Sequence, residues 1–202
     1  IDLMHYLFFD RLGEQLAGLM GAPYTIVVLA LGGLVVGLLT VYFASEASGH
    51  GVPSVMQAVA YRGGRIRPRV AVAGALTASI TIGSGGSAGR EGPIVQIGAA
   101  LGSTLGQVFR LPDRSVVLLV ACGSAGGVAA TFNAPIAGVL FALEVILARF
   151  TSLTFGLVVI SSTSATIVSR ALLGNYPAFK IPVPYGLVSF WTAYLKANYP
   201  AE

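Results

Sequence analysis

Charge is scarce in this chain. Only 10% of its 202 residues are Asp, Glu, Lys or Arg, where a soluble domain carries about a quarter. That shortage excludes an ordinary soluble fold. With 55% hydrophobic residues, the lipid bilayer is the expected solvent and partner. The net charge of +4 is too small for nucleic acid, which requires a basic stripe on a polar domain. Cysteine is nearly absent as well. Cys122 stands alone, which rules out an intrachain disulfide and a cysteine metal cluster. Its apolar surroundings suit a buried small residue. No metal or other cofactor is expected, and no strand alternation or soluble domain is visible. The opening, Ile1-Asp2-Leu3-Met4-His5, lacks a basic leader and a small-residue cleavage site, so no signal peptide is expected there. The chain reads as if it opens part-way through an element.

Against this background the charge-free stretches stand out. A bilayer core takes roughly 20 apolar residues of helix. The first such stretch runs from Gln15 to Ser45, with Gly21-Ala22-Pro23 near its start. A basic loop follows with Arg62, Arg65, Arg67 and Arg69, and it should face the cytoplasm. Val70 to Gly89 and Gly92 to Phe109 are the next stretches. Ser115 to Leu143 is long, and breaks are expected at Gly123–Gly127 and at Asn133-Ala134-Pro135. Phe150 to Ser169 is a plain span between Arg149 and Arg170. In the tail, Trp191, Tyr194 and Tyr199 suit a membrane interface. The whole predicts an all-α polytopic membrane protein with broken and tilted helices.

Gly83 to Pro93 reads Gly-Ser-Gly-Gly-Ser-Ala-Gly-Arg-Glu-Gly-Pro. A glycine run breaks a helix, and lipid penalises the freed backbone groups. Such a break, carrying Arg90 and Glu91, should therefore line a cavity or pore. Pro93 suits a helix start, whose unpaired N–H groups attract anions. Gly49-His50-Gly51-Val52-Pro53 and Gly123 through Pro135 repeat the theme of glycines before proline. Three helix N-termini could thus converge near the midplane, a transporter and channel device. Gly33-xxx-Gly37 and Gly98-xxx-Gly102-xxx-Gly106 read instead as packing positions that let helices approach.

At these residues the chain resembles the CLC family of chloride channels and proton-coupled chloride exchangers. Gly89-Arg90-Glu91-Gly92-Pro93 matches that family's glycine–arginine–glutamate–glycine–proline motif in full. Gly49-His50-Gly51-Val52-Pro53 is similar to its filter motif, with His50 in place of the usual serine. Asn133 through Gly138, on to Leu143-Glu144, resembles the segment that follows. The resemblance implies two inverted halves, a homodimer with one pore per subunit, and a multi-pass protein of the cell membrane. Residues 1–202 correspond to the first half as a single transmembrane region. The second half's glycine–x–phenylalanine–x–proline motif and tyrosine are not found, so a half-protein needing its second half is one expectation.

The resemblance also implies roles. Glu91 is the gating glutamate: its carboxylate competes with chloride for backbone N–H donors and leaves the site when protonated or swung away. Membrane burial makes that protonation accessible. The plain alternative is a salt bridge to Arg90, though adjacent residues pair poorly on a helix. Arg90, Glu91 and Gly92 supply N–H groups to an outer anion site. His50 and Gly51 line an inner one, or His50 is a hydrogen-bonded packing residue. Proton-coupled members commonly carry a relay glutamate where this chain has Val145. Glu144 lies one position early, turned by about 100° on an α-helix, so it should not substitute. The expected activity is passive, voltage-gated-type chloride conduction gated by Glu91. A proton-coupled exchanger remains the alternative, since a relay can use other groups or water. Gly85-Gly86-Ser87-Ala88-Gly89 also fits a hydrolase nucleophile pattern, but that pattern needs a preceding strand and triad partners, and an enzyme is not expected.

Overall fold

The structure is a computed structural model, and it describes residues 23–43 and 51–174. The stretch from Gln15 to Ala22, residues 44–50 with His50, His5 and the aromatic tail lie outside the described residues. Seven α-helices make up nearly all the rest. They are α1 (Pro23–Phe43), α2 (Val52–Tyr61), α3 (Pro68–Gly83), α4 (Glu91–Val108), α5 (Asp113–Phe132), α6 (Pro135–Phe141) and α7 (Ser152–Leu173). A π-helical segment, Ala142–Leu147, continues α6. No strand occurs among the described residues. Among the described residues, two helices, α5 and α7, are long and apolar enough to cross a membrane.

Prolines open α2, α3 and α6 within their first two positions, where a missing N–H costs nothing and φ is already helical. Helix α7 starts on a capping box in which Thr151 and Thr154 satisfy each other's N–H groups. Helix α5 ends at Asn133, left-handed at φ 53°, and α6 begins two residues later. That is the break expected at Asn133-Ala134-Pro135. Arg170 Nε donates to Asn133 Oδ1 at 2.6 Å, tying the break to the end of α7.

The break expected at Gly123–Gly127 is not there. Helix α5 runs through all five residues. Glycine weakens a helix but does not forbid one, and here the missing side chains serve contact. A Cβ on Gly98 would collide with the Gly123 carbonyl, and a Cβ on Gly123 would collide with that of Gly98. Gly102 meets the Leu119 carbonyl in the same way. Backbones of α4 and α5 touch along this seam, as small residues allow between membrane helices. The packing expected at Gly98 and Gly102 is therefore present. Gly33 and Gly37 differ: a Cβ on either meets nothing within 4 Å.

The core follows from that seam. Val55, Val95, Ala99, Val120, Ala121, Ala125 and Val158 are fully buried and join α2, α4, α5 and α7. The basic loop is stapled to α4. Ser103 Oγ donates to the Gly64 carbonyl at 2.7 Å and accepts the Ile66 N–H at 2.8 Å. Arg65 pairs with Asp113 at 3.0 Å, but both side chains are 61% exposed, so the pair adds little.

Candidate functional site

The loop after α3 unwinds within a few residues. Gly85 takes φ 92°, a conformation costly for any side chain, and the Gly86 N–H turns back to the Thr81 carbonyl at 2.8 Å. The chain then re-enters a helix at Glu91 rather than at Pro93. Pro93 occupies the third position of α4, still inside the turn whose N–H groups have no helical acceptor. None of the N–H groups of Arg90, Glu91 and Gly92 finds an acceptor among the described residues. Three bare donors and the positive end of a helix dipole thus share one point.

A second helix start meets the first. Gly51, buried and at φ 82°, precedes α2. A Cβ placed on it would lie 3.0 Å from the Gly92 Cα, so the two backbones need glycine on both sides. The N-termini of α2 and α4 are therefore in contact. The third expected start, at Pro135, does not line the pocket between them. Its carbonyl instead accepts Ser162 Oγ of α7 at 2.7 Å. Two of the three helix starts are brought together.

Glu91 and Arg90 are both exposed among the described residues. They form no ion pair with each other, whereas Arg65 and Asp113 do pair. The salt-bridge alternative for Glu91 is thus not realised. The burial expected around Glu91 is not supplied by the described residues either. Its carboxylate folds back over Gly89, where a Cβ would collide with Glu91 Oε2. Glycine at position 89 makes room for that return.

Beneath the contact lies a pocket of about 320 Å³, lined by Gly51, Gly89, Gly92, Thr77, Thr81 and Gln96 among others. Gln96 is a lining residue of this pocket that sequence reasoning did not single out. It is 2% exposed, and its Oε1 accepts the Gly51 N–H at 3.3 Å. A glutamine one turn into an apolar helix was the available signal, since a buried carboxamide needs partners. With this bond in place the Gly51 N–H is committed to Gln96.

Val145 and Glu144 lie on the π-helical segment, not on an α-helix. Its turns are wider, with i to i+5 bonding, so the 100° step between neighbours does not apply. The two side chains still part company. Val145 packs against the buried core, while Glu144 is exposed and lines a separate cavity with Leu140, Arg149 and Phe150. Ser87 is exposed and follows no strand, so the context a hydrolase elbow needs is missing.

Known proteins carry the same pattern. A family model described as voltage gated chloride channel matches residues 32–197. A ClcB-like protein of Ralstonia nicotianae is 34% identical over 82% of this chain and 39% of its own length. The H(+)/Cl(-) exchange transporter ClcA of Vibrio cholerae is 38% identical over 69% of this chain and 31% of its own. The chloride channel protein CLC-e of Arabidopsis thaliana is 35% identical over 78% of this chain and 22% of its own. The chain thus spans well under half the length of these relatives.

Proposed function

The chain belongs to the voltage gated chloride channel family, and on that premise we propose that it forms the first half of a chloride pathway gated by Glu91. The observation that carries this reading is the meeting of two helix N-termini at Gly51 and Gly92, with the Glu91 carboxylate folded against Gly89 beside them. An anion at this point gains the unpaired N–H groups of Arg90, Glu91 and Gly92. A carboxylate placed there competes for the same donors. Protonation or rotation of Glu91 removes the competitor and admits chloride. Conduction in this reading is passive, because Val145 offers no proton to exchange. Lipid and a second copy of the complete protein are the proposed partners.

The test uses the full-length protein in sealed vesicles. Glu91→Gln mimics the protonated state. It is expected to raise chloride flux near neutral pH and to flatten its pH dependence. A variant with unchanged flux and unchanged pH response would remove Glu91 from the gate.

Proton-coupled exchange is the second reading. Its support is the Vibrio cholerae relative, an H(+)/Cl(-) exchange transporter. It requires a proton route that bypasses Val145.

A further inference from the structure

Gln96 is the most deeply buried large polar side chain in the described protein. It stands at 2% exposure, four residues past the bare donors of α4. Its carboxamide has one partner, the Gly51 N–H at 3.3 Å. That bond spans 45 residues and joins the filter-like loop to the helix that carries Glu91. Its Nε2 is buried with no hydrogen-bond partner among the described residues. The orientation is set by Gly51, because turning the amide over would set donor against donor. Gly74 leaves the space for it: a Cβ there would lie 2.6 Å from Gln96 Oε1.

The pocket around Nε2 tells what the residue is not. Thr77 Oγ1 donates to the carbonyls of Ala73 and Gly74, and Thr81 Oγ1 donates to that of Thr77. Both hydroxyls have spent their hydrogens within α3 and can offer only lone pairs to the pocket that the two residues line. Lone pairs repel an anion and suit a water, which accepts from Nε2 and donates to threonine. The pocket is therefore no second anion site. The weight falls on Oε1.

We propose that Gln96 is a positioning residue that sets anion selectivity by holding the Gly51 N–H away from the permeating ion. At 3.3 Å the bond is longer than the usual 2.9–3.0 Å for its type, so it is a weak restraint. Loss of the acceptor frees a donor at the meeting point of α2 and α4. A freed N–H favours the stronger acceptor, chloride, over nitrate. The selectivity part rests on the anion-pathway reading above. The restraint on Gly51 does not.

The experiment pairs two readouts on full-length protein with Gln96→Met, which keeps length and bulk but loses the acceptor, and Gln96→Glu, which keeps it. Hydrogen exchange of the peptide containing Gly51 should quicken roughly threefold in Gln96→Met, the low end of what one neutral hydrogen bond is worth, and stay slow in Gln96→Glu. In vesicles, Gln96→Met should lower the nitrate-to-chloride permeability ratio roughly threefold at unchanged melting temperature. Equal exchange at Gly51 in wild type and Gln96→Met overturns the proposal, whether or not the protein conducts. Altered exchange with an unchanged ratio overturns the selectivity role alone. Wild-type protein that passes no anion while Gly51 exchange still responds overturns the anion-pathway reading and leaves the restraint standing. Should Gln96→Met not fold, Gln96→Asn, too short to reach Gly51, makes the same comparison.

Discussion

His50 immediately precedes the glycine whose N–H Gln96 holds, and it falls outside the described residues. Gly51 itself sits at φ 82° against the Gly92 backbone. An imidazole at position 50 is bulkier than a serine hydroxyl and offers one donor and one acceptor when neutral. His50→Ser should therefore change permeability ratios among chloride, bromide and nitrate in the full-length protein without lowering its melting temperature. Reversal potentials in mixed-anion gradients would register the change. Unaltered ratios in a folded variant would return His50 to a packing role. Glu91 was legible in the sequence because a lone acid in a glycine break has few structural uses. Gln96 was not, since a single glutamine in an apolar helix says nothing about which distant N–H it meets.

At the scale of the helices, glycine carries two opposite meanings, and sequence alone could not separate them. Gly83 to Gly89 ends α3, whereas Gly123 to Gly127 continues α5. The difference lies in the partner: Gly123 faces Gly98 across a backbone contact, and a partner 25 residues away is invisible to local reading. The contrast has a measurable consequence. Gly98→Ala forces a Cβ against the Gly123 carbonyl and should cost about 1–3 kcal/mol, as overpacking does. Gly37→Ala meets nothing within 4 Å and gains helix propensity, so it should be neutral or stabilising by up to ~1 kcal/mol. Thermal unfolding in detergent would compare them. A melting temperature for Gly98→Ala equal to wild type would mean that the seam relaxes and that the close approach is not a constraint. Two helix starts were easier to read, because proline's missing N–H and fixed φ announce them locally at α2 and α6. The register shift at Ala142–Leu147 was not, since nothing in Ala-Leu-Glu-Val-Ile-Leu distinguishes a π turn from an α turn.

For the molecule as a whole, the arrangement of helix starts decides how far an anion pathway can be built from this chain. The contact of α2 with α4 supplies donors on one side only, and Glu91 remains exposed. A buried site needs walls from elsewhere, which fits a chain that spans 39% or less of the relatives considered. Proton coupling is the property that most sharply divides the two functional readings. A proton bound for Glu91 needs a titratable group or water on the far side of the α2–α4 contact. Val145 packs against the core and carries none. Glu144 is the nearest acid in sequence, yet its exposed side chain opens on a different cavity. The π turn widens the helix without bringing Glu144 to the Val145 face. Full-length protein in sealed vesicles should then let an imposed chloride gradient run down with no uphill proton movement. Val145→Glu restores an acid at the core-facing position and should introduce coupling if position 145 alone is limiting. Uphill proton pumping by the wild-type protein would assign it to the exchangers and require a relay other than residue 145. In that case Glu144→Gln becomes the discriminating variant: loss of pumping would make the π turn part of the relay, and retained pumping would leave water as the carrier.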